Sequence, residues 1–309
     1  MKGRVIQSTG SWYKVETENH ELYSCKLRGH FKIKGIKSTN PIAVGDWVEF
    51  KWEEKANMGW ITKIEERKNY IIRKSVNLSK RSHIIASNID LALLVVTYIQ
   101  PRTSTGFIDR FLITAEAYHI PAMLIFNKVD IYNEQENIEV QNLINQYQSI
   151  GYNCHKTSAK TGEGIKTLME LMHEKVCLVS GHSGVGKSAL INALDPSKDI
   201  RIGEISDTHN KGKHTTTFAE MHSLGFGSYI IDSPGIKEFG LFDFKKEELC
   251  QYFPEMIEIS DDCKYNNCTH VHEPSCAVKD AVENGYISAD RYLNYLNMLD
   301  GKEMNEIEY

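Results

Sequence analysis

The segment Gly181-His-Ser-Gly-Val-Gly-Lys-Ser188 combines three glycines with a lysine and a serine at the spacing of a phosphate-binding loop. It follows a predicted strand and begins a predicted helix, the context in which this pattern binds nucleotide phosphates. Glycines let backbone N–H groups converge on the β-phosphate. Lys187 is placed to bridge the β- and γ-phosphates and is a predicted catalytic residue, and Ser188 offers a hydroxyl to Mg²⁺. The predicted nucleotide contacts are Gly181, His182, Ser183, Gly184, Val185, Gly186, Lys187, Ser188 and Ala189.

Two later segments suit the γ-phosphate and the metal ion. Asp232-Ser-Pro-Gly235 ends an apolar predicted strand. Its aspartate would reach Mg²⁺ directly or through water, and the Gly235 N–H would contact the γ-phosphate. Residues 211–217 lie between the phosphate loop and Asp232, where a first switch loop belongs. Either Thr215 or Thr216 can ligate Mg²⁺ and the γ-phosphate there, with Thr216 favoured.

Asn127-Lys-Val-Asp130 ends another apolar predicted strand and suits a guanine base. The Asp130 carboxylate can accept hydrogen bonds from the guanine N1–H and 2-amino group. Adenine lacks this donor pair, so the site disfavours ATP and hence an ATP-dependent kinase. Lys128 would pack over the base, and Asn127 would tie the surrounding loops together.

A tripeptide after the next predicted strand completes the predicted base site: Ser158, Ala159 and Lys160. The Ala159 N–H can donate to the guanine O6. Taken alone, the tripeptide is equally compatible with an ordinary loop. Its position one strand after Asn127–Asp130 favours base binding.

These motifs occur in a circularly permuted order. Ordinary GTPases place the phosphate loop first, whereas here the base-reading segments, at 127 and 158, precede the phosphate-reading segments at 181, 215 and 232. The pocket can be the same if the strands occupy the same places, because permutation changes only where the chain is cut.

The position after Gly235 is Ile236, where many GTPases have a water-orienting glutamine. Isoleucine cannot orient water, so another group must do so. His214 in the predicted switch loop is the nearby titratable candidate, because an imidazole pKa suits polarising water. The alternative is that His214 is a switch residue that binds RNA.

A cluster of thiols near the end of the chain predicts a metal centre. The predicted ligands are Cys263, Cys268, His270 and Cys276. Three thiolates and one imidazole suit tetrahedral structural zinc, with no open position for catalysis. His272 is an alternative to His270. The four other cysteines are scattered, so the cluster favours a metal in a reducing compartment rather than a disulfide framework.

Elements that can position these residues follow from the patterning. Five short strands rich in Val, Ile, Tyr and Trp are expected before residue 68, which suits a small barrel. Residues 1–82 hold 17 of the 36 basic and 9 of the 41 acidic residues, a net charge of +8, and the remainder carries −13. The basic first segment, with a loop at 28–40 containing Phe31, suggests nucleic-acid binding, although a Lys-rich solvated surface and a flexible loop fit as well.

After a polar connector at 69–88, apolar runs alternate with helical stretches, which predicts a mainly parallel sheet. After Asp243 the pattern becomes helical. We therefore predict a multidomain chain with three parts. They are an N-terminal β-barrel of the oligonucleotide-binding (OB) fold at 1–68, a central, circularly permuted α/β P-loop GTPase domain at 69–242 and a mostly helical zinc-binding domain at 243–309.

The whole chain resembles the ribosome small-subunit-dependent GTPase A family, of RsgA or YjeQ type. The resemblance is carried by Gly181–Ser188, Lys211–Thr217, the segment 232–239 and Cys268-Thr-His270. It implies GTP hydrolysis stimulated by the small ribosomal subunit during late subunit maturation, and it also points to His214. It further implies that the barrel and the zinc segment contact ribosomal RNA. The alternative is an RNA-binding assembly factor in which GTP is a structural ligand.

The composition indicates the class of protein and the location in which these sites are expected to work. Hydrophobic residues make up 41% and charged residues 25% of 309 residues, as in soluble globular proteins. No apolar run approaches the ~18 residues of a membrane span, and no signal peptide is recognisable. We expect a cytoplasmic monomer that binds GTP or GDP, Mg²⁺ and one structural Zn²⁺, with no membrane contact.

Overall fold

The computed structural model describes residues 1–27, 41–74, 82–198, 219–232 and 245–301. The predicted basic loop at 28–40 lies outside these ranges. Two compact units make up the chain, and each is discontinuous in sequence. Unit 1 comprises Met1–Leu93, Ile165–Ser180 and Lys187–Glu238, and unit 2 comprises Leu94–Gly164, Gly181–Gly186 and Phe239–Tyr309. Across the described ranges, every helix is too short or too polar to traverse a lipid bilayer.

The strands, in chain order, are β1 (Lys2–Ser8), β2 (Tyr13–Thr17), β3 (Leu22–Leu27), β4 (Trp47–Glu53), β5 (Met58–Ile64), β6 (Tyr70–Lys74), β7 (Ser82–Ser87), β8 (Leu91–Val96), β9 (Ala122–Phe126), β10 (Asn153–Lys156), β11 (Val176–Ser180), β12 (Glu220–Ser223) and β13 (Tyr229–Asp232). The α-helices are α1 (Thr105–Ala117), α2 (Glu134–Ser149), α3 (Ile165–Met172), α4 (Lys187–Leu194), α5 (Pro254–Ser260), α6 (Ala277–Glu283) and α7 (Ala289–Leu299).

Strands β1–β5 of unit 1 form the predicted five-stranded barrel. The pairing order is β1-β2-β3-β5-β4, and β4 returns to β1, which closes the sheet on itself. Alternate residues point inward, so Val5, Val15 and Phe50 are almost fully buried in its core. Gly3 is needed where β1 crosses β2, since a Cβ there would lie 2.6 Å from the Glu16 carbonyl oxygen.

The predicted polar connector at 69–88 is instead a two-stranded hairpin of β6 and β7. Ile71, Ile84 and Ala86 are buried in it, and Ala86 forms a β-bridge with Val44 of the barrel sequence. In the sequence these apolar residues are separated by many polar ones. The alternation that signals a strand is therefore weak there.

The remaining strands of unit 1 lead into the predicted phosphate-reading segments. Their order is β11-β13-β12-β1, with β11 and β13 parallel and β12 antiparallel to β13. Because β11 and β13 are parallel, their carboxyl ends lie at the same edge of the sheet. The phosphate loop follows β11, and Asp232 is the last residue of β13.

Unit 2 contains the base-reading strands and the C-terminal helices. Its strand order is β10-β9-β8, and β9 and β10 are parallel. A second core surrounds the cysteine cluster and includes Phe253, Met256 and Tyr295, together with Ile113 of α1. The helical character predicted for the C-terminal segment is confirmed by α5, α6 and α7.

Candidate nucleotide site and metal centre

The carboxyl ends of β9 and β10 bring the two predicted base-reading segments together. Phe126 and Lys156 are partners in the parallel ladder, and Asn127 and Thr157 come directly after them. The Thr157 N–H donates to the Phe126 carbonyl at 2.8 Å, and the Val129 N–H donates to the Thr157 carbonyl at 3.2 Å. The two loops are therefore held side by side by their own backbones.

The Asn127 side chain is 1% exposed and connects three segments of unit 2. Its Nδ2 donates to the Val185 carbonyl of the phosphate loop at 2.9 Å. Its Oδ1 accepts from the Thr157 hydroxyl at 3.1 Å and from the Ala159 N–H at 3.3 Å. The Ala159 N–H, which is predicted to donate to the guanine O6, here donates to Asn127 Oδ1 through a long hydrogen bond of 3.3 Å.

Asp130 lies exposed beside this junction, with its carboxylate held in place. The buried Ser158 hydroxyl donates to Asp130 Oδ1 at 2.6 Å and accepts from the Thr161 N–H at 3.1 Å. One carboxylate oxygen is therefore fixed while the residue remains accessible to solvent. An acceptor held in this way suits two donors on the edge of a purine.

The phosphate loop makes close backbone approaches that require glycine. Gly181 has φ +141°, and a Cβ there would lie 2.3 Å from the Val95 carbonyl oxygen. Gly186 has φ +95°, and a Cβ there would lie 2.5 Å from Asn127 Nδ2. Only glycine adopts these conformations without strain and leaves room for these neighbours. Val185 between them is fully buried, which anchors the loop.

Gln100 and Pro101, which follow β8, lie against the base-reading segment and the phosphate loop, and no sequence motif identifies them. The Lys128 ammonium donates to the Gln100 carbonyl, and Pro101 lies 3.4 Å from the Cβ position of Gly184. Burial lowers the pKa of Lys128, and Asp130 opposes that shift. The signal that points to this segment is its position at the end of the fully buried strand β8. Such strand ends carry ligand sites in parallel sheets.

His182 of the phosphate loop packs against α1. Its ring lies over the Phe107 ring with centroids 3.9 Å apart and planes inclined by 33°. Helix α1 begins at this point, with the Ser104 hydroxyl accepting from the Phe107 N–H at 3.3 Å as its N-cap. Phe107 is therefore a second neighbour of the loop that the sequence motifs did not reveal.

The other predicted nucleotide residues differ in how far the structure describes them. Lys187, Ser188 and Ala189 form the first turn of α4, and the Ser188 side chain is mostly buried. Lys160 is exposed. The Asp232 backbone pairs with Glu220, but its side chain lies outside the description. The predicted switch and catalytic residues also lie outside the described ranges: His214, Thr215, Thr216 and Gly235.

Cys263, Cys268, His270 and Cys276 place one ligand atom each within 4.8 Å of all the others. The Cys263 and Cys276 sulfurs are 3.9 Å apart, and His270 Nδ1 lies 3.6 Å from the first and 3.4 Å from the second. Tetrahedral zinc with bonds of about 2.0–2.3 Å separates its ligands by about 3.3–3.8 Å. The four residues therefore fit a closed structural zinc site.

Hydrogen bonds hold the loop that carries the predicted ligands, and His270 is the histidine of the described cluster. Tyr292 donates to the His270 carbonyl, and Tyr295 donates to the Thr269 carbonyl at 2.8 Å. The exposed His272 is not in the ligand cluster. Partial burial raises the pKa of Glu273, but hydrogen bonds from Thr269 and neighbouring amides outweigh it and lower that pKa to about 2.

The chain is similar to known proteins along almost its whole length. The family model described as RsgA GTPase matches residues 64–242, and the RsgA N-terminal domain matches residues 2–61. The chain is 56% identical over 303 residues to "Small ribosomal subunit biogenesis GTPase RsgA 2" of Bacteroides thetaiotaomicron, covering 98% of this chain and 97% of the relative. It is 53% identical over 307 residues to the RsgA of Christiangramia forsetii, covering 99% and 98%.

Solved structures agree with these sequence matches. The crystal structure of YjeQ from Thermotoga maritima has a TM-score of 0.78 and 37% identity, covering 97% of this chain and 98% of that one. The structure of YloQ, titled a circularly permuted GTPase, has a TM-score of 0.76 and 29% identity, covering 100% and 96%. The predicted barrel and the permuted core are therefore confirmed.

Proposed function

Since the chain belongs to the RsgA GTPase family, and so hydrolyses GTP to GDP with Mg²⁺, we propose that it acts in late maturation of the small ribosomal subunit. The observation that carries the guanine assignment is the exposed Asp130 carboxylate held by Ser158. The full-length match to relatives named for small-subunit biogenesis supports the choice of partner. We propose that this subunit stimulates hydrolysis.

The nucleotide contacts are divided between base and phosphates. Asp130 accepts from the guanine edge, and Lys128 packs over the ring, with its ammonium placed by the Gln100 carbonyl. The amides of Gly181–Gly186 and the Lys187 ammonium bind the phosphates. Guanine binding would draw the Ala159 N–H from Asn127 to the base, since its present bond is long. The Mg²⁺ ligands would be Ser188, Thr216 and Asp232.

His214 is the proposed group that acts on the attacking water. We expect it to be placed productively only when the small subunit is bound. The test compares His214→Ala with wild type in single-turnover assays, with and without small subunits. Loss of stimulated turnover with retained GTP binding is the expected result. Full stimulated turnover in His214→Ala would instead favour its alternative role in binding RNA.

Zinc at the four-ligand cluster would be structural. The donor set leaves no open coordination position, and the ligands sit in the apolar core formed with α5, α6 and α7. Burial raises the pKa of Cys268 to about 12, so metal binding must displace a proton from this thiol. Zinc would stabilise the segment because the unfolded chain lacks the assembled ligand set.

The chain would work as a cytoplasmic monomer that contacts ribosomal RNA through its basic barrel and its zinc segment. The discriminating experiment measures GTP turnover alone, with purified small subunits and with purified large subunits. Stimulation by small subunits only is the expected result. Equal rates in all three conditions would favour an assembly factor in which GTP is a structural ligand. The molar mass measured by light scattering would test whether the protein is a monomer.

A further inference from the structure

Strand β12 joins the barrel to the sheet that carries the phosphate-reading segments. Its Glu220 pairs with Gln7 of barrel strand β1 and with Asp232 of β13. The β12–β13 pairing is antiparallel, so the first residue of β12 and the last residue of β13 lie side by side. The barrel therefore meets the sheet where the chain enters β12 at Glu220 and leaves β13 at Asp232.

The barrel also contacts the opposite end of the hairpin formed by β12 and β13, through the side chain of Tyr229. The Tyr229 hydroxyl donates to Glu16 Oε2 on β2 at 2.9 Å. The Arg4 guanidinium on β1 lies 5.6 Å from the Tyr229 ring centroid and 4.5 Å from that of Trp47 on β4. Burial and then the Glu16 bond raise the pKa of Tyr229 to about 12. Barrel strands β1 and β2 thus contact Tyr229, and Trp47 of β4 packs against the arginine that does so.

The backbone of Tyr229 is bound to the strand that leads into the phosphate loop. Tyr229 pairs with Val176 of β11 in the parallel ladder, and its N–H donates to the Lys175 carbonyl at 2.9 Å. Its side chain belongs to the barrel contact while its backbone belongs to the core sheet. A shift of the barrel relative to this sheet must therefore act on Tyr229.

We propose that Tyr229 is a positioning residue whose bond to Glu16 couples the barrel to the β12–β13 hairpin, and through it to GTP turnover. This inference rests on the proposed function, because it takes the barrel as the part that meets ribosomal RNA. Displacement of the barrel on the subunit would move Glu16 and Arg4. Because β12 and β13 are paired with each other along their length, the hairpin would move as a unit and shift Glu220 and Asp232 at its open end.

The first test uses a matched pair of tyrosines in the full chain. Tyr229→Phe removes the hydroxyl and keeps the ring. Tyr23→Phe removes an equivalent 2.9 Å bond to Glu21 that lies wholly within the barrel sequence. For Tyr229→Phe we expect unchanged basal turnover and unchanged KM for GTP. The kcat with small subunits should fall about five- to tenfold, the scale of one ordinary hydrogen bond. Tyr23→Phe should match wild type.

Substitutions of the partner separate coupling from general loss of structure. Glu16→Gln keeps an acceptor for the Tyr229 hydroxyl and should retain most of the stimulation, whereas Glu16→Ala should lose it as Tyr229→Phe does. Stimulation equal to wild type in both Tyr229→Phe and Glu16→Ala would overturn the inference while leaving the proposed function intact.

A second test does not depend on the ribosome. Reciprocity holds for binding free energies, so this test is made on nucleotide binding: a nucleotide that shifts the β12–β13 hairpin must also shift the barrel that is bonded to it. Hydrogen exchange in residues 2–8 and 13–17 is compared with GDP and with the β,γ-imido analogue of GTP bound. Wild type should show a difference that Tyr229→Phe lacks. If wild-type exchange in these strands is the same with both nucleotides, the inference is wrong, even if small subunits do stimulate turnover.

Discussion

Replacing Arg291 by methionine should sharply destabilise unit 2. The Arg291 side chain is 1% exposed and bridges two carboxylates. Its Nη1 donates to Asp109 Oδ1 at 2.6 Å, and its Nε and Nη2 donate to Glu255. Asp109 also accepts from Tyr147 at 2.8 Å and from Asn294 at 2.6 Å. The guanidinium is therefore the cation that balances charge among α1, α5 and α7.

The size of the effect follows from what the substitution leaves behind. Methionine fills most of the volume but leaves two carboxylates without their cation, one of them fully buried. Breaking a buried ion pair in this way costs about 3–5 kcal/mol. With about 2–4 °C of melting temperature per kcal/mol for a domain of this size, we expect a fall of about 10 °C.

The loss should also depend on pH. Burial raises the pKa of Asp109, and Arg291 opposes that rise. Without Arg291 the folded-state pKa should lie further above the unfolded value. A carboxylate shifted in this direction destabilises the fold while ionised, and the penalty is relieved as pH falls through the folded pKa. The melting-temperature difference should therefore be larger at about pH 8 than at about pH 5.

The assay is calorimetric melting of the full chain, with Lys63→Met as the matched control. The Lys63–Glu49 pair has a similar separation of 2.7 Å, but its side chains are 60% and 46% exposed. Exposed pairs contribute little, so the control should shift the melting temperature by no more than about 2 °C. Equal shifts in the two variants would refute the reasoning, as would an Arg291→Met penalty that grows as pH falls.

Three further outcomes test the two sites. Asn127→Ala should weaken GDP binding about 100-fold in titration calorimetry, because the Val185 carbonyl and the Thr157 hydroxyl lose their hydrogen-bond partner. A change of less than about threefold would contradict the connecting role of Asn127. Asp130→Asn should lower GTP affinity and raise that for xanthosine triphosphate in competition assays, and unchanged preference would remove Asp130 from base recognition. Cys268→Ser should reduce zinc below one ion per chain by elemental analysis, whereas Cys250→Ser, a half-buried cysteine outside the cluster, should retain it.

The sequence indicated the parts of the site that depend on local chemistry. Glycines at positive φ and the buried asparagine after β9 are properties of short segments, so their patterns predict their roles. Contacts made by backbone atoms leave no such pattern, and the Gln100 carbonyl on Lys128 is an example. Ion pairs between residues that are distant in the sequence could not be predicted either. Arg291 and Asp109 are 182 residues apart, and either one alone is an ordinary charged residue of a predicted helix.

Asn127 explains why permutation need not disturb the site. The base-reading segment that it begins and the phosphate loop that contains Val185 are 58 residues apart, in an order opposite to that of ordinary GTPases. Its amide nevertheless binds the Val185 carbonyl on one side and the Thr157–Ala159 loop on the other. These bonds depend on which strand ends are neighbours and not on the order in which the chain visits them. Permutation therefore changes the attachment points of the flanking segments while the spatial relation of the two loops is preserved.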